Sequence, residues 1–227
     1  MTIKSKPRIF IAAHYMELGG AEISLIGLLN ALDPARVDVD LFVYSHQGPL
    51  MKFIPSWVKI LPEIPEYAQI ERPLIQVFKD GFWRQGIARL KAKIRFNIWL
   101  KKQSIKNSES IYDFIAEEIV PTLPSLQHFG VYDLAINFIG LKNLIINKVS
   151  ANKTITWIHT DLCAVNICPD IEYKYWNAYD YIASISPEVT QSFIKLFPNL
   201  ASKVIEIENI LSPAFVKKRA EEFEVKF

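Results

Sequence analysis

Apolar runs of strand length alternate along this chain with stretches in which apolar residues recur every three or four positions, the pattern of βαβ units and a parallel sheet. A first strand is expected over residues 8–13. After the Gly19-Gly20 break, Leu25, Leu28, Leu29 and Leu32 fall at helical spacing until Asp33-Pro34 stops them. Residues 37–44 read as a second strand, with Asp38 and Asp40 between apolar neighbours, and 57–61 as a short third one. Pro62, Pro65 and Pro73 then exclude a regular helix. From 74 to 104 the pattern turns helical, one helix or two, with Phe78, Phe82, Trp83, Ile87, Leu90, Ile94, Ile98 and Trp99 roughly on one side, and 108–120 continues it until Pro121. The second series is more regular. Strands are expected at 133–138, 154–158, 181–185 and 203–207, with helices at 141–149, 171–178 and 187–197 between them. Residues 214–227 alternate charges without a stable apolar face. The fold class is therefore α/β, a Rossmann-like, mostly parallel sheet with helices on both faces and a helical insert at about 74–120.

Charge changes the picture only locally. The formal net charge of +2 is too small to argue for nucleic acid as a partner of the whole chain, and none is expected. Residues 79–106, however, carry nine basic side chains against one acid, a local charge of +8 against −6 for the remainder. With aromatic and aliphatic residues interleaved, this segment is expected to contact an anionic membrane surface through cations such as Arg89, Lys91, Lys93 and Arg95. The alternative is an apolar face packed on the domain's own sheet with the cations facing water. Of 227 residues half are apolar, enough for one large core. Cys163 and Cys168 are too few for a disulfide framework and have no second ligand pair for zinc; free thiols suit the cytoplasm. The N-terminus lacks the apolar region of a secretory signal, and no apolar stretch reaches bilayer-spanning length. The expected location is cytoplasmic, with a possible peripheral contact on the inner membrane face.

Four places could carry chemistry. The turn after strand 1, from His14 to Glu22, holds the diglycine Gly19-Gly20, which lets a ligand approach the backbone, and the helix behind it offers amides to an anion. A β-branched side chain at Gly20 is expected to crowd this loop and resist positive φ. An ordinary connecting loop is the bland reading, and G-x-G-x-x-G is absent, which disfavours a nicotinamide-dependent oxidoreductase. The run Trp157-Ile-His159-Thr-Asp161 ends a strand, where side chains face the crevice of an open α/β sheet. His159 could bond a sugar hydroxyl or shuttle a proton, with Asp161 orienting it or acting as base; a satisfied structural histidine is the alternative. Ser186-Pro187-Glu188 is fully explained as a helix start. Glu208-Asn209-Ile-Leu-Ser-Pro213 reads as a turn or linker.

Taken in order, Gly19-Gly20-Ala21-Glu22, Tyr132-Asp133, Ile155-Thr-Trp-Ile-His159, Ala183-Ser184-Ile-Ser186 and Glu208-Asn209-Ile resemble the retaining glycosyltransferases of the GT-B superfamily grouped as family 4, especially those of capsular and surface polysaccharides. The resemblance implies an acceptor-side domain over residues 1–213, with Gly19, Gly20 and Glu22 near donor phosphates and acceptor. His159 would lie at the donor sugar, Ser186 at the cleft, and Asn209 where the chain leads into a second domain, residues 214–227 beginning that link. The second, nucleotide-gripping domain with its paired glutamates has no counterpart here, so the isolated chain is expected to be nearly inert. The substrates implied are a nucleotide-diphosphate sugar and a glycan or lipid-linked acceptor, with no cofactor and no metal. Rival readings are a sugar-nucleotide epimerase or hydrolase of the same plan and a non-catalytic carbohydrate- or lipid-binding module.

Overall fold

The computed structural model describes residues 6–221. Seven strands form one all-parallel sheet: β1 (Arg8–Ala13), β2 (Asp38–Val43), β3 (Lys59–Ile60), β4 (Val131–Asn137), β5 (Ser150–Ile158), β6 (Tyr181–Ser184) and β7 (Val204–Glu206). Their order is β3-β2-β1-β4-β5-β6-β7, so the chain grows outward from β1 in one direction and then, from β4, in the other. That reversal opens a crevice at the carboxyl ends of β1 and β4.

Alternation along the strands supplies a core for each face of the sheet. Ile9, Ile11 and Ala13 join Val39, Leu41 and Val43 beneath α1 (Gly20–Ala31), through Leu25, Ile26 and Leu29. Phe10, Ala12 and Phe42 look the other way, towards Ala88 of α3 (Trp83–Gln103), Ala116 and Ile119 of α4 (Ile111–Ile119) and Leu144 of α5 (Leu144–Lys148). A third cluster seals the β6 end, where Trp176 of α6 (Pro169–Ala178) and Phe193 of α7 (Pro187–Leu196) meet Ile182. Asp40, buried in mid-strand, is satisfied by Arg8 at 2.9 Å and the Tyr132 hydroxyl at 2.7 Å, which ties β1, β2 and β4 together.

The helical insert is two helices, α2 (Leu74–Lys79) and α3, followed by α4. Two elements differ from expectation. The helix expected over 141–149 shrinks to the five residues of α5, and β5 lengthens backwards to Ser150, because residues 150–154 pair with β4. Residues 213–221, expected to lack an apolar face, form α8 (Pro213–Glu221). Ser212 starts it: its hydroxyl accepts from the Phe215 N–H at 3.3 Å and its carbonyl from the Val216 N–H at 3.0 Å. Among the described side chains Phe215 docks this helix, its ring packing 5.0 Å from Phe53 at the edge of the first core. Residues 222–227 of the expected tail and the N-terminal Met1–Ser5 lie outside the described residues.

Candidate active site

A cleft of about 550 Å³ lies over the strand reversal, walled by the ends of β1, β4 and β5. Each of these strands delivers one polar side chain to it: His14 one residue after β1, Asn137 at the last position of β4, and His159 one residue after β5.

These three residues share a feature. His159 Nε2 donates to the Phe138 carbonyl at 2.8 Å, which leaves Nδ1 as a lone-pair acceptor without a partner. Burial lowers the His159 pKa, with the Phe138 carbonyl acting against it, so the ring is neutral near pH 7. His14 Nδ1 lies 3.3 Å from Glu71, whose carboxylate can only accept, and His14 Nε2 is unpartnered. Asn137, 3% exposed, gives its amide N–H to Thr156 at 3.4 Å and keeps an unpartnered Oδ1. The cleft wall thus holds two unpartnered acceptors, His159 Nδ1 and Asn137 Oδ1, beside the unpartnered ring nitrogen His14 Nε2, and a hydroxyl-bearing ligand can complete all three.

Glu71 comes from the proline-punctuated stretch and is held by α3. Arg89 donates to the carbonyls of Gln69 at 2.9 Å and Arg72 at 2.5 Å, which clamps the loop on either side of Glu71. The hydrogen bond from His14 is the main cause that keeps the Glu71 carboxyl below its usual range, and the bond to Glu71 pushes Tyr15 up to about 12. Gly140, at φ +155°, closes the floor beneath His14. A Cβ there would collide with the Tyr44 hydroxyl and stand 3.3 Å from the His14 ring. Beside it Lys142 reaches Asp113 at 3.0 Å and Glu172, which also accepts from Trp176 Nε1 at 2.6 Å. Burial, reinforced by Asp113, raises the Glu172 carboxyl. For Lys142 burial acts downward, and the two carboxylates outweigh it and raise the amine.

The other residues singled out from sequence fall at different distances from this centre. Gly19 is the extended N-cap of α1 and Gly20 its first residue. Neither has positive φ, and a Cβ on Gly20 would meet nothing within 4 Å. The expected crowding at Gly20 is thus corrected: that glycine leaves open space without being required by the backbone. Glu22, lining the cleft, folds its carboxylate back onto Gly19, in the place an anion would take at the helix start. Asp161 turns away from His159. Its carboxylate accepts from the Cys163 N–H at 2.9 Å and from the Ser192 hydroxyl, and the Ser192 bond lowers its pKa. Ser186 caps α7 through the Val189 N–H at 3.3 Å. Asn209 accepts from Ser24 at 2.6 Å and pins the segment after β7 to α1, where the Ile210 carbonyl fills the space over Gly27. Arg95 pairs with Glu117 and Glu118 of α4, Lys91 with Glu118, and Lys93 is exposed. Among the described residues no group of three His, Cys, Asp or Glu could hold a metal ion, and no helix is long and apolar enough to cross a membrane.

No family model matches the sequence, and no curated protein matches it. Solved structures show a distant similarity to it. One is Anabaena Alr3699/HepE in complex with UDP and glucose, 13% identical at a TM-score of 0.46, with 95% of this chain lying on 50% of that one. Another is a glycosyltransferase from Rickettsia africae ESF-5, 13% identical at a TM-score of 0.47, with 99% of this chain lying on 51% of that one. The chain spans about half the length of each.

Sequence reasoning placed the chemistry of the first loop on its diglycine and passed over His14, although His14 follows β1 as His159 follows β5. Position at a strand end was the signal available for it, and for Asn137. Glu71 had none: it arrives from a loop 57 residues away, positioned by an arginine on α3.

Proposed function

We propose that this chain is the acceptor-side half of a two-domain, GT-B-type retaining glycosyltransferase of surface-polysaccharide synthesis. The whole enzyme would move a hexosyl group from a nucleotide-diphosphate sugar to a glycan or lipid-linked acceptor. The observation that carries the reading is the row of unpartnered polar atoms, His14 Nε2, Asn137 Oδ1 and His159 Nδ1, at the strand reversal. A sugar is dense in O–H donors and satisfies such a wall. A phosphate oxygen only accepts, and for it the complementary groups are the N–H ends of α1 behind Gly19 and Gly20. In this scheme His159 and Asn137 hold sugar hydroxyls beside the reaction centre. Asp161 fixes the turn that follows His159, and Glu22 swings from the helix start when the diphosphate arrives. The ordered motifs from Gly19 to Asn209 add support; the second domain would bring the grip on the nucleotide, and no cofactor beyond the donor is needed.

UDP and glucose, the ligands of the Anabaena structure, are the first probes. Titrated into this chain, glucose is expected to shift the ring resonances of His14 and His159 saturably, and in His159→Phe the His14 resonance no longer shifts. UDP shifts confined to amides 20–23 fit the division of the cleft. A wall that responds to UDP and not to glucose overturns it.

A further inference from the structure

The helix α3 has two apolar faces. Ala88, Ala92 and Phe96 are buried against the domain, and on the opposite side Trp83, Ile87, Leu90, Ile94 and Ile98 are 45–62% exposed. At 3.6 residues per turn those five positions fall within an arc of about 80° and run along about 22 Å of helix. A single exposed apolar residue is ordinary, but five in one line on a helix already packed through its other face form a patch that, apart from the Phe78 ring beside Trp83, is uncovered by the described residues.

The charge around the stripe identifies what it fits. The helix holds no acidic residue and seven basic ones. Arg89, Lys91 and Arg95 are engaged with the domain's own carbonyls and carboxylates. Arg84, Lys93, Lys101 and Lys102 are exposed along the flanks and at the far end, with no ion pair among the described residues. A second copy of the chain docked stripe to stripe would press these cations against their own kind. An anionic bilayer offers the complement to both features, acyl chains for the stripe and headgroups for its rims.

We propose that α3 lies in the headgroup region of an anionic membrane, its Trp83–Ile98 stripe facing the acyl chains and Arg84, Lys93, Lys101 and Lys102 holding the phosphates. Of the residues that the sequence pattern puts on this side, Trp83 and Ile94 belong to that surface and Phe78 and Trp99 do not. Phe78 packs on Gly86 and Trp83, and Trp99 on Phe96 and Phe114. The C-terminal end of α3 leads through a short connection, tied by Ser108 to the Asn166 carbonyl, into Glu109 and Tyr112 at the cleft wall. Docking along α3 therefore sets the cleft at the bilayer surface, within reach of a lipid-linked acceptor; this last consequence rests on the transferase reading, and the docking itself does not.

The test is co-sedimentation of the chain with phosphatidylcholine vesicles, with and without phosphatidylglycerol, at low and high salt. Wild type is expected to bind the anionic vesicles at low salt and to lose at least about tenfold in affinity at high salt. Ile87→Ser with Ile94→Ser loses more than about tenfold at either salt, and Lys93→Ser with Lys101→Ser and Lys102→Ser loses chiefly the salt-sensitive part. Both variants keep the wild-type melting temperature, since the changed side chains face solvent. The Trp83 emission, taken as wild type minus Trp83→Phe, shifts to the blue on binding. No binding at low salt, equal binding by the stripe variant, or a dimer in sedimentation velocity that Ile87→Ser with Ile94→Ser dissolves would each overturn the proposal. The readout needs no transfer activity, so failure of the transferase reading leaves it standing.

Discussion

The carboxyl ends of β1, β4 and β5 and the segments that follow β5 and β6 lie along one edge of the sheet, yet they spend their polar side chains differently. After His159 and at the end of β6, the polar side chains of Asp161, Ser184 and Ser186 are consumed locally. Asp161 accepts from Cys163 and Ser192, Ser184 donates to the Ser186 carbonyl at 3.1 Å, and Ser186 caps α7. At the reversal point three side chains keep an unpartnered atom in one cleft, whereas the other three among the described residues, on Ser45, Asn143 and Thr190, lie apart from one another. A buried polar atom left without a partner costs about 1–3 kcal/mol, and a fold retains several in one place only where something other than the fold completes them. Strand-end position nominates residues in both regions; the hydrogen-bond inventory separates them.

The largest expected effect tests whether the floor of the cleft is structure or machinery. Lys142→Met leaves Asp113 and Glu172 facing each other without their cation, and urea unfolding is expected to show a loss of about 3–5 kcal/mol. Restoration of stability by adding Glu172→Gln to that variant would confirm charge as the cause, and a loss below about 1 kcal/mol in Lys142→Met would show that the trio is dispensable.

Next comes the pair that defines the comparison. On the proposed transferase reading, His159→Ala in the two-domain protein is expected to lower turnover on the order of 10²-fold or more while the melting temperature of this domain barely moves, because only one of its ring nitrogens is used by the fold. Ser186→Ala does the reverse: about 1 kcal/mol is lost with the cap, and specific activity of the folded enzyme is unchanged. Should the two variants behave alike, in either direction, the division between used and unused polar groups along this edge fails. Gly20→Ala belongs between them. With open space at its Cβ and no positive φ it is expected to change stability by less than about 0.5 kcal/mol, so any loss of activity reports a ligand lying against the helix start.

How much of this was legible follows from the range over which each feature is determined. Strands β1 and β2, the helix α1 stopped by Asp33-Pro34, and α7 opened by Ser186-Pro187 are settled by residues within a few positions, and they fall where periodicity puts them. The helix α8 opens with the same Ser-Pro pair, at Ser212-Pro213, but buries one aromatic against Phe53; periodicity cannot register a single contact made 162 residues away. In α3 the periodicity suggests one apolar side, whereas the small residues Ala88 and Ala92, with Phe96, make the contact with the core and Trp83, Ile87, Leu90, Ile94 and Ile98 face out. Size misleads there because close approach of two helices rewards small side chains. In the site, His159 was visible from its strand, while its equivalence to His14 and the arrival of Glu71 depend on strand order and on the Arg89 clamp, neither of which is local.

The smallest expected effect is the most direct probe of His159 itself. Because burial lowers its pKa in the fold, the unfolded chain takes up the proton first as pH falls below about 6.5, so this residue's contribution to stability is complete at neutral pH and is lost on going down through the folded value. Glu172 acts with the opposite sign. Its raised carboxyl contributes stability below the ordinary value of about 4.5, which fades as pH rises through the folded one, so the two slopes overlap and partly cancel in the wild type. A difference measurement removes the Glu172 part. His159→Asn retains an N–H for the Phe138 carbonyl and carries no titratable group, so the melting-temperature gap between wild type and this variant is expected to narrow between pH 7 and pH 5. A gap constant across that range would mean that His159 titrates as a solvated histidine does. Its Nδ1 would then be in contact with water, and the strand-end row would lose the member on which the comparison turns.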